Sequence, residues 1–206
     1  MGLFASDAER QRVAERVTLA ELRTAGEIVV VVARRSGDYG VERAAFSGGL
    51  TLLLVLAGYF FLPMVPELWL LCAQAPLGFF AWWLSGLSPV LHRLVPAAAQ
   101  HDVVRARAQQ LFIEQGVTET RQRSGVLLYL SEGEHRVELL ADRGIHERVG
   151  AEAWQKVVDQ VVGTIRQGRA ADGIAAAVDS IGESLALHFP READDINELP
   201  DAVTRL

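Results

Sequence analysis

Ala44-Ala45-Phe46-Ser47-Gly48-Gly49-Leu50-Thr51-Leu52-Leu53-Leu54-Val55-Leu56-Ala57-Gly58-Tyr59-Phe60-Phe61-Leu62 opens an apolar block that runs to His92 with Glu67 as its only charge. Glu67 follows Leu62-Pro63-Met64-Val65-Pro66, where two prolines disfavour helix interior. A bilayer core of about 30 Å takes roughly 20 apolar residues in a helix. Ala44–Leu62 and Leu68–Leu87 each reach about that length, so the block reads as a transmembrane helical hairpin. The turn carries no Lys or Arg, whereas Arg34, Arg35 and Arg43 precede the first span and Arg93, Arg105 and Arg107 follow the second. The positive-inside rule then puts both termini in the cytoplasm and the turn outside, as in a two-span protein of the inner membrane. Arg43, Trp82, Trp83 and Arg93 fall at the inner interface and Trp69 at the outer one.

Outward from the block, the flanks read as one α/β body. Ser6 and Glu9 form a capping box for a helix to about Ala25, with Val13, Val17 and Ala20 inward and Gly26 as its stop. Glu27–Ala33 contains a run of β-branched residues and reads as a strand buried on both faces. Ser36–Gly40 is a loop. After the block, a helix from Pro96 or Ala97 to about Gln115 ends at Gly116, with Val104, Ala108 and Leu111 inward. Gly125–Leu130 is a second buried strand, Ser131–Glu134 a turn, and Arg136–Ala141 a third strand antiparallel to it. Helices follow over 150–167 (Trp154, Val158, Val161 and Ile165 inward) and 170–188 (Ile174, Val178, Ile181 and Leu185 inward). One helix and one strand cannot stand alone. Residues 1–43 and 96–190 are therefore expected to form one discontinuous α/β domain with a mixed sheet, into which 44–95 is inserted. Residues 191–206 form an acidic tail, with Glu192, Asp194, Asp195, Glu198 and Asp201, that reads as exposed.

Composition narrows the function classes. The net charge of −6 argues against nucleic acid as a partner. Cys72, the one cysteine, lies within the second span, so no disulfide or cysteine metal site is expected in the chain. No basic segment with a following apolar stretch precedes Ala44, so a cleaved secretory signal is not expected. There is no phosphate-loop, nucleophile-elbow or His-Glu-x-x-His motif. The spans hold no strongly ionisable group, which disfavours transport. Small-residue pairs such as Ala44/Gly48 and Ala45/Gly49 offer a face for helix packing.

The best candidate for chemistry is Asp142-Arg143-Gly144-Ile145-His146-Glu147, read as a loop at a strand end before a helix, where α/β proteins place ligands. Asp142 and His146 are the candidate catalytic pair for a proton transfer. Asp142 and Glu138 are the carboxylates nearest to a divalent-cation set, although no metal or other cofactor is firmly indicated. A purely structural reading competes: Asp142 and Arg143 pair locally and Gly144 supplies a positive-φ turn. His188 falls on the last turn of the last helix, where a histidine favours the helix end.

The succession of a helix, Gly26-Glu27-Ile28-Val29-Val30-Val31-Val32, a helix, Ser124-Gly125-Val126-Leu127-Leu128-Tyr129-Leu130, Arg136–Ile145 and two helices resembles the TPM-domain family. The resemblance spans residues 6–35 and 98–188. Its most specific pieces are Ser124–Leu128 and Asp142-Arg143-Gly144-Ile145. His188-Phe189-Pro190 and Asn197–Asp201 resemble a bacterial membrane-anchored subgroup with a mid-domain hairpin. The resemblance implies a small α/β/α sandwich. It also implies either acid phosphatase or calcium-binding activity, or an accessory or repair role in a larger membrane complex. The ligand-loop candidates are Gly125, Asp142, Arg143, Gly144, His146 and Glu147. The family usually places Asp or Asn, then Asn, before Gly125, and Gly-Arg-Gly after the third strand. Here Arg123, Ser124 and Asp142 replace them, which weakens the hydrolase and calcium readings. The expected function is thus a non-catalytic accessory factor, with the lipid bilayer and integral membrane subunits as partners. The alternative is a phosphatase or metal-dependent hydrolase at Asp142–Glu147.

Overall fold

The computed structural model describes residues 3–4, 6–191, 197–200 and 202–206, the side chain of Ser88 excepted. The chain divides into two compact units, Met1–Ser36 with Asp102–Leu206, and Gly37–His101.

The first unit is built on a four-stranded mixed sheet. Its strands are β1 (Ile28–Ala33), β2 (Val126–Ser131), β3 (Arg136–Ala141) and β4 (Thr204–Arg205), in the order β3-β2-β1-β4. β1 runs parallel to β2 with Ile28 opposite Val126, and β3 returns antiparallel with Ala141 opposite Val126. Every residue of β1 and β2 is buried, as their unbroken apolar runs require. Alternate side chains feed two cores. Ile28, Val30, Val32, Val126, Leu128 and Leu130 join residues of α1 (Asp7–Glu21), α7 (Ala151–Arg166) and α8 (Ala170–His188). Val29, Val31, Leu127 and Tyr129 meet Val104, Ala108 and Leu111 of α5 (Ala97–Glu114) on the other face. The result is a small α/β/α sandwich.

Ser6 caps α1, its hydroxyl accepting the Glu9 amide at 3.3 Å. The helix stops at Glu21, short of the expected Ala25. Thr24 takes the chain over: its hydroxyl donates to the Phe189 carbonyl (2.6 Å) and accepts the Gly26 amide (3.0 Å), while Ala25 N–H also donates to Phe189 (3.0 Å). Gly26 is needed for closeness rather than as a helix stop, because a Cβ there would sit 2.5 Å from Leu185. Gly116, by contrast, ends α5 with φ +70° as expected. In α7 the inward residue is Val157, with Val158 half-buried.

The tail is not wholly exposed. Val203 is buried, and β4 pairs in parallel with β1, extended by Leu206 N–H to Val32 O (3.0 Å) and Arg34 N–H to Leu206 O (2.9 Å). Of the tail's acids, Glu192, Asp194, Asp195 and Asp201 lie outside the described residues.

The second unit contains α2 (Gly40–Phe61), α3 (Glu67–Ser85) and α4 (Ser88–Leu94). α2 begins four residues before the expected Ala44 and spans about 33 Å at 1.5 Å per residue. α3 contains Pro76, a residue tolerated in apolar helices where neighbouring groups satisfy the freed carbonyl. The hairpin is antiparallel: a Cβ on Gly58 would meet Leu70, one on Gly78 would lie near Thr51, and Arg43 reaches Trp82 and Ser85. Both helices are long and apolar enough to cross a membrane, and only 6 % and 11 % of their apolar windows are buried. α4 was not expected from the sequence. It opens on Leu87-Ser88-Pro89, with the proline in the first turn where its missing N–H costs nothing.

Candidate functional site

Because β3 runs antiparallel to β2, Asp142 returns to the start of β2, and its N–H donates to Gly125 O at 2.9 Å. The candidate segment therefore lies at the amino ends of the parallel strands, opposite to the carboxyl-end crevice where open α/β sheets bind ligands. Nor is it a loop: Arg143–Val149 form the short helix α6, with Asp142 as its N-cap. Asp142 Oδ1 accepts the Arg143 amide at 2.7 Å. Oδ2 makes no hydrogen bond among the described residues, and its cationic neighbour is Arg123 Nη1 at 3.7 Å. Arg123 holds a left-handed backbone (φ +55°), and its guanidinium also donates to Thr118 O at 2.8 Å.

The two glycines of this segment answer to close packing. A Cβ on Gly144 would stand 2.6 Å from Arg123 O and 2.7 Å from Gln122 O, and Gly144 is not in the positive-φ region. A Cβ on Gly125 would strike the Val117 carbonyl. Ile145, next to Gly144, is fully buried in the core shared by α1, α7 and α8. Gly125, Asp142 and Gly144 thus belong to one packing joint between α6, the start of β2 and residues 117–123.

The side chains of the remaining candidates make no hydrogen bond or ion pair with the Asp142 carboxylate among the described residues. His146 and Glu147 are exposed, and Glu147 pairs with Arg143 at 3.6 Å along the helix. Glu138 lies four residues back along β3, about 13 Å at strand rise, opposite Tyr129. Among the described residues no group of three or more His, Cys, Asp or Glu is placed to hold a metal ion. His188 is in the last turn of α8, and its carbonyl accepts from Arg148 at 2.6 Å.

A second polar cluster sits at the carboxyl ends of β1 and β2, and sequence reasoning missed it. Ser36 Oγ lies 2.8 Å from Tyr129 OH and 2.8 Å from Ser131 Oγ. The Ser36 amide donates to both oxygens of Glu134, at 3.2 and 3.1 Å, and Ser131 Oγ donates to the same carboxylate. Tyr129, Ser131 and Glu134 are all buried. Burial pushes the Tyr129 phenol up from its ordinary 10.0; the Ser36 hydrogen bond opposes this, and the Glu134 carboxylate adds to the rise. Ser36 and Glu134 read as loop and turn residues because their partners are 93 and 98 positions away. No single-segment motif signals them.

At the base of the hairpin Arg43 donates to Ser85 Oγ (3.2 Å) and Trp82 O (3.3 Å), and its guanidinium lies 4.4 Å from the centre of the Trp82 ring. Trp69, Trp83 and Arg93 are exposed.

Residues 92–184 match the family model described as TPM domain. No curated protein matches the chain. Among solved structures, the fold is similar to the NMR structure of BA42 protein from the psychrophilic bacterium Bizionia argentinensis. The TM-score is 0.62 at 18 % identity, covering 98 % of this chain and 96 % of that one.

Proposed function

We propose, on the premise that this chain carries a TPM domain, that it serves as a membrane-anchored, non-catalytic accessory factor of a larger membrane complex. The observation that carries this reading is the apolar surface of the second unit. Phe60, Phe61, Met64, Leu68, Trp69 and Phe79 are each more than two-thirds exposed. Large apolar side chains left uncovered together on one hairpin mark a surface that something apolar covers. Lipid and neighbouring membrane helices are its natural cover, which makes the bilayer and integral membrane subunits the expected partners. The arginines flanking the hairpin support an inner-membrane setting with both termini in the cytoplasm.

The non-catalytic half of the reading rests on Asp142. Its carboxylate is committed to capping α6 and to facing Arg123, while the exposed His146 and Glu147 side chains make no hydrogen bond or ion pair with it among the described residues. General acid–base work needs a group within reach of a second one and of substrate. The test is a native purification in mild detergent, paired with phosphate release from p-nitrophenyl phosphate. Stable co-purification with membrane subunits, and no release above that of Asp142→Asn, are expected. Recovery as a lone monomer, or hydrolysis abolished by Asp142→Ala and His146→Ala, overturns the proposal in favour of a phosphatase.

A further inference from the structure

We propose that the groove between the β2–β3 turn and the adjoining ends of α1, α7 and α8 binds an amphiphilic carboxylate: one anionic head on an apolar body. The groove encloses about 890 Å³. Pockets that bury most of a small organic molecule are about this size. It lies wholly within the first unit and includes Ser131, at the carboxyl end of β2, on the side of the sheet where α/β folds place ligands. It is separate from the Asp142 joint at the opposite strand ends.

Four arginines from different parts of the fold line it: Arg12 of α1, Arg136 of β3, Arg166 at the end of α7 and Arg169 just before α8. Arg166 makes no hydrogen bond or ion pair among the described residues, whereas Arg169 donates to the Gln167 amide oxygen at 2.6 Å, a partner that leaves its charge uncompensated. Arg12 reaches Glu9 only at 3.8 Å. The lining carboxylates are Glu9, Glu132 and Asp172, and Glu132 already accepts the Leu3 amide at 2.6 Å. Arg166 and Arg169 are thus two lining cations that meet no carboxylate among the described residues, on a chain whose net charge is −6, and they call for an anionic head. Guanidinium forks bind carboxylates in a planar, two-bond geometry. Val137, Val162 and Ile165 supply an apolar wall. The wall calls for a hydrocarbon body, and a bare inorganic anion would leave it wet.

The test uses the full chain in discs of zwitterionic lipid, titrated with naphthoate and followed by saturation-transfer NMR. Saturable binding in the millimolar range or tighter is expected, and it should weaken with added salt. Naphthamide, of the same shape without the charge, and acetate, without the apolar body, should each bind at least tenfold more weakly. The double variant Arg166→Gln, Arg169→Gln should lose at least tenfold in affinity at unchanged thermal stability, since both side chains are exposed. Asp172→Asn should move the other way and tighten binding. Competition by oleate added to the discs identifies a lipid-derived ligand; unchanged naphthoate affinity identifies a soluble one. No saturation, equal binding of naphthamide, or a double variant that binds like the parent overturns the proposal.

Discussion

Gly125 and Gly144 are fixed by what lies against them, and Asp142 by the amide it caps. Gly144→Ala would drive a methyl group into two backbone carbonyls that cannot swing aside, and Gly125→Ala into the Val117 carbonyl. Each should cost roughly 1–3 kcal/mol or more, read as a lower midpoint in denaturant unfolding. Asp142→Ala removes an N-cap and should cost about 1 kcal/mol. An enzyme residue would show the opposite pattern, with activity lost and stability kept. Arg123 adds a local contradiction, since it occupies a left-handed backbone better suited to Asn, Asp or Gly. The resemblance places Asp or Asn there, so the guanidinium contacts to Thr118 and Asp142 are what this chain has in exchange for backbone ease. Residue types marked this segment as special in the sequence. Their reason stayed hidden, because Val117 and Gln122, which crowd them, carry no signal of closeness. Tyr129 has a clear pH signature. Its pKa is raised on folding, so its neutral form contributes stability that is fully present below the unfolded value of about 10 and lost as pH rises through the higher folded value. Alkaline titration of phenolate absorbance should show one tyrosine ionising late and together with unfolding. Tyr129→Phe should abolish that late step.

Elements with local causes were legible, and elements with distant causes were not. The Ser6 cap, the all-buried β1 and β2 and the Gly116 stop follow from residues within a few positions of each other. The early end of α1 does not, because Thr24 bonds to Phe189, 165 positions away. Thr24→Val removes the hydroxyl that serves both Phe189 O and Gly26 N–H in a buried site. It should cost about 1–3 kcal/mol and loosen the junction of α1 with the end of α8, seen as faster amide exchange at Ala25 and Gly26. β4 escaped notice for another reason. Two residues carry no periodicity, and only the exposed edge of β1 gives them a partner. The hairpin was the easiest element to read, since apolar length is itself the signal. Leu53, 63 % exposed midway along α2, is the residue on which to test it. Leu53→Arg should raise the cost of membrane insertion by about 2.5–3.5 kcal/mol, measured as a fall in the inserted fraction of a translocation reporter. Wild-type insertion efficiency in that variant would mean that α2 does not span.

No strand of the sheet comes from residues 37–101. β1 precedes that segment; β2, β3 and β4 follow it; and the parallel β1–β2 pair closes across the gap. Both apolar clusters of the first unit likewise draw on residues outside 37–101. The family match at 92–184 does not reach α1 or β1, so it is strand pairing that assigns Ser6–Arg35 to the same body. This arrangement makes the hairpin an insertion and requires both flanks to lie on one side of any membrane it crosses. A chain in which residues 37–101 are replaced by about a dozen Gly and Ser residues, a coil spanning roughly 20 Å, should therefore fold. It should be monodisperse without detergent, because the exposed Phe, Leu and Trp residues of the hairpin go with the excised segment. Its amide spectrum should show β1 protected against exchange, since Val31 and Val32 keep partners on both sides. Chain-entropy loss from closing the linker grows only as the logarithm of its length, so doubling it should cost about 0.6 kcal/mol. If β1 exchanges freely while β2 and β3 stay protected, the first strand depends on the hairpin, and the two flanks do not constitute a self-sufficient domain.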